Sequence, residues 1–388
     1  MNYLSEKAKN YPTSVIREMF DMANDYDNVI NLTLGEPNFD TPKNIIDAAI
    51  ESLNRRETKY SANAGIDELR TVIAQTHNER YGTSYKKENV MVTIGAQESN
   101  FLTLLTIVNP GDEVIIPNPY YPNYEGQIML QGAKPVKVDL EEENDFKMRP
   151  EDLEAAITSK TKAVMLNYPS NPLGAMLEKE DVLALAEVIK KHNILLLSDE
   201  VYDRLIFDDK PYFSFSQVEE IRDQVIIINS LSKTYAMTGW RVGYIIANEE
   251  IISNMPKIQE GILSCGPVFV QKAGIEALTG DQSAVSEMLS HYQRRRDILV
   301  EGLNKIPGFS CMKPKGTFYA FPNIEAFGKS SKEFAIDLLQ KAQVLVVPGS
   351  AFGSAGEGYL RIIFATSDDA LHEALERLEK YVKDNYKL

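Results

Sequence analysis

The chain has 388 residues, enough at about 150 per domain for two large domains or three small ones. Apolar residues make up 44% and charged residues 25%, close to the average of soluble globular proteins, which excludes disorder, collagen and a disulfide-stapled miniprotein. With 56 acidic against 41 basic residues the formal charge is −15, a surface that repels phosphate backbones and anionic lipid and argues against nucleic-acid and membrane partners.

In chain order, Val29-Ile-Asn-Leu-Thr-Leu34 reads as a lone strand, within an N-terminal segment, residues 1–40, expected to pack on a smaller C-terminal domain. Short apolar runs then alternate with helical patterns. Val90–Ile94, Val114–Pro117, Ala163–Asn167, Ile194–Ser198 and Val225–Asn229 read as strands, and Gln97–Val108 and Glu178–Lys191 as helices. The strand runs are apolar throughout rather than alternating, as strands buried on both faces are. Such strand–helix alternation predicts an α/β large domain, residues 41–285, with a mostly parallel sheet sandwiched by helices. Ligands of these sheets bind at the carboxyl ends of the strands.

A long helix is predicted over Ser283–Lys305, with Arg294, Arg295 and Arg296 on a solvated stretch. Beyond Pro307-Gly308 the rhythm changes. Thr317–Phe321, Val344–Val347 and Tyr359–Phe364 read as strands, and Lys332–Lys341 and Asp368–Lys383 as helices, a smaller α+β domain over residues 286–388. Cys265 and Cys311 are too few for a disulfide framework and lack metal-ligand spacing. His77, His192, His291 and His372 are scattered singly and read as ordinary surface or helix residues, so no metal is expected. The N-terminus lacks the apolar core of a signal peptide and no run approaches the roughly 20 apolar residues of a membrane span. A soluble, reduced, cytoplasmic protein is expected.

Five segments carry chemistry. Ser230-Leu-Ser-Lys233-Thr-Tyr-Ala-Met-Thr-Gly-Trp-Arg241 follows the Val225 strand, placing an amine beside hydroxyls and a guanidinium. The amine suits a Schiff base and the other groups a phosphate; a surface lysine in a polar loop is the bland alternative. Ser198-Asp199-Glu-Val-Tyr202 ends another apolar strand, and its carboxylate suits a protonated pyridine nitrogen, or else a helix N-cap. Asn167-Tyr-Pro-Ser-Asn171-Pro-Leu-Gly174 is a proline-punctuated loop that holds Asn171 for a planar ligand. Thr93-Ile-Gly95-Ala96-Gln97 runs a strand into a helix whose free N–H groups make a phosphate cradle. Asn118-Pro-Tyr120-Tyr121-Pro-Asn-Tyr124 offers rings that stack on a flat cofactor or fill a core.

In this order the segments resemble the fold-type I, pyridoxal-phosphate-dependent class I aminotransferases, nearly end to end. The resemblance runs from Gly35-Glu-Pro-Asn-Phe-Asp-Thr-Pro42 to Tyr359-Leu-Arg361-Ile-Ile-Phe-Ala-Thr-Ser367. It is strongest to the prokaryotic aromatic, aspartate and acetyl-diaminopimelate aminotransferases. The resemblance implies that Lys233 holds pyridoxal 5′-phosphate as an internal aldimine and serves as the base of a ping-pong transamination between an L-amino acid and 2-oxoglutarate. It implies that Asp199 keeps the pyridine nitrogen protonated, that Asn171 and Tyr202 bond the phenolic oxygen, and that Tyr121 stacks on the ring. The phosphate is implied to meet Gly95, Ala96, Gln97, Ser230, Ser232 and Arg241, with Tyr60 reaching it across a homodimer interface. Arg361, helped by Asn171 and the backbone of Gly35, is implied to clamp the substrate carboxylate.

The position that carries a lysine in some aspartate aminotransferases of this group corresponds to the neutral Gln97. An aromatic or broad-specificity enzyme is therefore expected, with a side-chain pocket near Val15, Ile16, Tyr120 and Tyr124, and acetyl-diaminopimelate or aspartate transamination as the alternative. A C–S β-lyase on the same fold is a rival activity. A cofactor-sensing transcription regulator is disfavoured, since the match beginning near residue 30 is expected to leave no room for a DNA-binding domain and the charge is wrong for DNA.

Overall fold

The computed structural model describes residues 3–387. Met1, Asn2 and Leu388, the outermost residues of the expected N-terminal segment and small domain, lie outside the described residues. The strands, in chain order, are β1 (Ile30–Asn31), β2 (Val90–Thr93), β3 (Glu113–Asn118), β4 (Lys134–Asp139), β5 (Thr161–Asn167) and β6 (Leu195–Asp199). They continue with β7 (Val225–Ser230), β8 (Gly243–Ile246), β9 (Tyr319–Ala320), β10 (Val344–Leu345), β11 (Val347–Pro348) and β12 (Leu360–Ile363).

Seven of them form one sheet in the order β2-β8-β7-β6-β5-β3-β4. All its pairings are parallel except those of β8, which runs antiparallel to both neighbours. Alternate residues serve opposite cores, as the two-residue period of a strand demands. Leu196, Ile227 and Ile246 join one buried cluster, whereas Leu197, Ile226, Ile228 and Ile245 join the other. Helices such as Ala96–Ile107 and Lys179–His192 cover the faces. Truncating one of these fully buried isoleucines to alanine costs about 2–5 kcal/mol. The sheet orders its strands so that Asn167, Asp199 and Ser230 all stand at carboxyl ends.

Two strands escaped the sequence reading for different reasons. β4 reads Lys-Pro-Val-Lys-Val-Asp and lies at the sheet edge with mostly exposed or half-buried residues, so it lacks the unbroken apolar run expected of a central strand. β8 is four residues long and follows Arg241, whose left-handed φ of 55° turns the chain back.

In the C-terminal region β11-β12-β9 make a three-stranded antiparallel sheet, and β1 pairs in parallel with β10. The strand expected over Val344–Val347 is split between these two sheets: Val344 pairs with Ile30, while Val347 pairs with Arg361. The expected Thr317–Phe321 strand is ordered as strand only at Tyr319–Ala320. The expected helix at Lys332 starts at Ser331, where Ser330 Oγ accepts from Glu333 N (3.3 Å), and passes into a π turn over Leu338–Ala342. The final helix spans Asp368–Asn385, with Ser367 Oγ accepting from Ala370 N at 3.2 Å.

The arginine run on helix Ser283–Leu303 corrects the expectation of a solvated stretch. Arg294 is exposed, but Arg295 is 6% and Arg296 0% exposed. Arg296 donates to Asp208 Oδ1 and Oδ2 at 2.8 and 2.7 Å, to Asp297 and to Pro314 O, with its guanidinium 4.8 Å from the Phe207 ring centre. Arg295 reaches Asp368 and Asn38. Carboxylates from distant segments make the burial of these charges tolerable, and no helical period reveals them. His77 is a helix residue, within Asp67–Tyr81, and lies buried rather than at the surface, with Nε2 3.0 Å from Ser216 Oγ. Among the described residues no helix is long and apolar enough to cross a membrane.

Candidate active site

The carboxyl ends of the central strands and the C-terminal sheet enclose a cavity of about 320 Å³. Of the residues singled out from sequence, it is lined by Gly35, Ala96, Gln97, Tyr121, Asn171, Asp199, Tyr202, Ser230, Ser232, Lys233, Arg241 and Arg361. Gly95 stands directly behind Arg241. Tyr60 is 92% exposed and does not line the cavity of its own chain.

Asp199 ends β6 on the cavity side of the sheet. Its Oδ2 accepts from Tyr124 Oη at 2.6 Å and from Asn100 Nδ2 at 3.2 Å, and its backbone carbonyl accepts from Asn167 Nδ2 at 2.9 Å. Burial raises the carboxyl pKa, while the Tyr124 and Asn100 bonds oppose the rise. Asn100 and Asn167 were not among the residues expected to matter. Asn100 lies one helical turn after Ala96 on the same helix, a spacing that places both on one face.

Tyr124, expected near a substrate side-chain pocket, lines the cavity, where its hydroxyl is given to Asp199. Tyr120 is misplaced by that expectation, since its hydroxyl bonds Glu125 beneath Lys137 and it does not line the cavity. Ile16 lines the cavity, whereas Val15 does not.

Lys233 sits in the four-residue helix Leu231–Thr234, with Ser230 as its cap. Its Nζ donates to Gly35 O at 2.6 Å. Burial lowers the amine to about 8, so a neutral amine is accessible near neutral pH. The segment is fastened to the Gly35–Pro42 stretch: Trp240 Nε1 donates to Thr41 Oγ1 at 2.9 Å, and Thr41 Oγ1 donates to Ala236 O at 2.6 Å.

Gly95, at φ 110°, opens helix Ala96–Ile107 and frees its first N–H groups. A Cβ on Gly95 would stand 2.7 Å from Arg241 Nη2, so only glycine lets the guanidinium close over this helix start. Arg241 Nη1 donates to Thr238 O at 2.8 Å, and the Ser230 and Ser232 hydroxyls lie 2.8 Å apart. Helix N–H groups, two hydroxyls and a guanidinium make an anion site.

Arg361 projects from β12 into the opposite side of the cavity and is 3% exposed. Nη1 donates to Asn171 Oδ1 at 3.2 Å and Nη2 to Thr33 O at 2.7 Å, while Nε is buried with no partner. Among the described residues no carboxylate accepts from it, and burial lowers its pKa. The guanidinium lies 4.8 Å from the Tyr319 ring centre and 4.9 Å from that of Phe352.

Tyr319, also missed from sequence, hydrogen-bonds its hydroxyl to that of Tyr202 at 2.9 Å. A Cβ on Gly35 would stand 2.5 Å from that Tyr319 oxygen. These contacts join residues more than a hundred positions apart, and no local pattern announces them. Cys265 and Cys311 are free thiols, and among the described residues no group of three or more His, Cys, Asp or Glu is placed to hold a metal ion.

The family described as aminotransferase class I and II matches residues 27–378. The chain is 43% identical over 380 residues to an aspartate aminotransferase of Pyrococcus horikoshii, covering 97% of each chain. It is 40% identical over 384 residues to aromatic-amino-acid aminotransferase 2 of Thermococcus litoralis, covering 98% of each. The crystal structure of the aspartate aminotransferase of Rhizobium meliloti superposes with a TM-score of 0.96 at 36% identity, over 99% of each chain.

Proposed function

The chain belongs to the aminotransferase class I and II family and is an aminotransferase of fold type I; from that premise we propose that it moves the amino group of an L-amino acid onto 2-oxoglutarate with pyridoxal 5′-phosphate as cofactor. One observation carries the reading: the cavity that holds the buried Arg361 guanidinium without a carboxylate partner also holds the Lys233 amine. An α-amino acid presents a carboxylate, which the guanidinium lacks, and on the same carbon the hydrogen that an amine base removes.

The donor set also fits the cofactor. The anion site at Gly95, Ala96, Gln97, Ser230, Ser232 and Arg241 suits its phosphate, the Tyr121 ring its flat face, and the buried Asp199 its ring nitrogen. Asn171 spends its side-chain oxygen on Arg361, which leaves its NH₂ to donate, with Tyr202, to a phenolic oxygen. When bound, the cofactor supplies an aldehyde for the amino group and a conjugated ring that accepts the electron pair of the Cα–H bond.

The chain's own groups then do the following. Arg361 and Asn171 bind the α-carboxylate, with the Gly35 backbone alongside, and orient the Cα–H bond toward Lys233. The neutral Lys233 amine takes the Cα proton and holds it for redelivery. Asp199, fixed by Tyr124 and Asn100, stays anionic opposite the ring's positive charge. Amino acid and 2-oxoglutarate thus leave as 2-oxo acid and glutamate.

The substrate is aromatic or of broad specificity. The only cationic side chains lining the cavity among the described residues are Lys233, Arg241 and Arg361. Each has a role above, which leaves none for a distal carboxylate, and Gln97 is neutral. The name of the Pyrococcus horikoshii relative favours aspartate as the second reading, with acetyl-diaminopimelate transamination as a further alternative. A panel of amino donors with 2-oxoglutarate decides among them: phenylalanine and tyrosine are expected to give the highest kcat/KM, and aspartate exceeding them about tenfold, ~1.4 kcal/mol, overturns this specificity. Glutamate formation separates transamination from β-elimination by a lyase.

The active unit is a homodimer in which the exposed Tyr60 completes the second subunit's phosphate site. A fully active monomer in light scattering overturns that assembly. Residues 41–285 are assigned as the cofactor-binding domain, and residues 1–40 and 286–388 as the segment and small domain that carry Gly35 and Arg361.

A further inference from the structure

One acid of the Ser-Asp-Glu-x-Tyr segment has no place in this chemistry. Glu200 follows Asp199, is 0% exposed and points away from the cavity into the opposite core. Its Oε1 accepts from Ser198 Oγ at 2.9 Å and from Ser214 Oγ at 2.8 Å. Ser198 and Glu200 therefore brace each other across the back of Asp199, one residue on either side of it. The brace extends outward, since Ser214 Oγ lies 2.9 Å from Ser216 Oγ, which lies 3.0 Å from His77 Nε2. Each serine has one proton, so the bonds run in one direction, from His77 Nε2–H through Ser216 and Ser214 to Glu200 Oε1.

The other oxygen, Oε2, is buried and receives no hydrogen bond. The Tyr212 hydroxyl lies close enough to interact with the Glu200 carboxyl, and since its own proton goes to Tyr168 O at 3.2 Å it meets Glu200 as an acceptor. No cation neutralises Glu200 either. The nearby Arg80 is taken by Asp203 Oδ2 at 3.2 Å, which also accepts from Tyr81 at 2.7 Å. A carboxylate with a bare oxygen, no counter-ion and a second acid nearby is unfavourable in this setting. A carboxylic acid that offers Oε1 to two serines and turns its own proton toward the Tyr212 oxygen removes the unpaired charge and gives that proton an acceptor.

We propose that Glu200 is a positioning residue held as a neutral carboxylic acid, bracing the end of β6 from the face opposite the cavity so that Asp199 stands as the only negative charge at the cofactor's ring. The link to the ring rests on the function proposed above. Burial and the Asp203 charge push the Glu200 carboxyl up to about 8, in keeping with the hydrogen-bond polarity. His77, facing the chain's outer end, is held neutral by burial. An ionised Glu200 would instead add a second negative charge next to Asp199 and favour protonation of the acid that must stay anionic.

The test compares wild type with Glu200→Gln and Glu200→Ala. Infrared difference spectra at neutral pH, wild type minus Glu200→Gln, are expected to show the carbonyl stretch of a protonated carboxylic acid lost in the variant; a lost carboxylate band instead overturns the neutral state. Pyridoxal phosphate is then titrated into each apoprotein, and the visible band of the loaded protein is followed against pH. Glu200→Gln, which keeps a neutral acceptor in the same place, is expected to match wild type in affinity and in the pH midpoint of the band. Glu200→Ala is expected to bind about tenfold more weakly, with a displaced midpoint.

An alanine variant indistinguishable from wild type, or a glutamine variant as impaired as alanine, overturns the positioning role. Should Glu200→Ala fail to fold, the glutamine variant and the infrared band still decide. A wild-type protein that binds no pyridoxal phosphate sinks the proposed function and the link to the ring, and the infrared band then decides the protonation state alone.

Discussion

The two sides of the cavity are built on opposite terms. Asp199 ends a strand buried on both faces, and its carboxylate is met by Tyr124 and Asn100 within the protein. Arg361 comes from a four-residue strand, is met by two neutral oxygens, and keeps a buried Nε without any partner. The first side is finished before anything binds. The second is electrostatically incomplete, and a carboxylate completes it. In a low-dielectric cavity a rigid, satisfied group is preorganised for charge that is always present there, while an unsatisfied cation reserves its interaction energy for the molecule that arrives. That division matches a resident cofactor on one side and an exchanging substrate on the other.

The largest break in this comparison is at the amine between the two sides. Lys233→Ala is expected to lower kcat by about 10²–10⁴-fold in steady-state assays, with the anion site still retaining some cofactor. An alanine variant of undiminished activity would remove Lys233 as the base. Next comes the unfinished side. Arg361→Lys is expected to lower kcat/KM about 10²-fold for every amino donor alike, because a lone ammonium cannot reproduce the planar fork and the α-carboxylate is common to all of them. A loss confined to one donor would place Arg361 in a side-chain pocket instead.

On the finished side the effect is smaller and of a different kind. Tyr124→Phe removes one hydrogen bond to Asp199 and is expected to weaken cofactor affinity about tenfold in equilibrium titration, with the ranking of amino donors unchanged. Tyr60→Phe is expected to weaken cofactor binding only several-fold, since Arg241, the serines and the helix N–H groups remain.

The smallest effect concerns stability. Burial lowers His77 to about 4 from an ordinary 6.5, so between those values the unfolded chain binds a proton that the folded chain refuses. His77 therefore contributes stability that falls as pH drops through this window, opposing the gain that Glu200, raised to about 8, makes there. Denaturant melts at several pH values should show wild type losing more stability toward acid than His77→Gln, and identical slopes would assign the acid sensitivity elsewhere.

Much of the finished side was legible in the sequence. The unbroken runs Ala163–Asn167, Ile194–Ser198 and Val225–Asn229 can only be central strands, and the polar residue that ends or follows each, Asn167, Asp199 and Ser230, is delivered to one crevice by the parallel topology. Local chemistry also marks Gly95 before a helix. The C-terminal region was less legible, because its strands are two to four residues long and Val344–Val347 serves two sheets at once. The buried Arg295 and Arg296 were misread for the same reason: three consecutive arginines signal solvent until Asp208, Asp368 and Asn38 are brought to them.

By itself, then, the sequence determined the α/β class, the strands that end at the cavity, and the candidacy of Lys233, Asp199 and Asn171, because each stands at or just past the end of an apolar run, whereas Arg361 was singled out only by the family resemblance. The tertiary structure alone decided that Tyr124 and Asn100 hold Asp199, that Tyr319 bridges Tyr202 and Arg361, and that Glu200 is sealed behind the sheet with no counter-ion. Such partnerships join segments far apart in the chain, and they exist only once the burial of apolar faces has chosen which distant polar groups must satisfy one another.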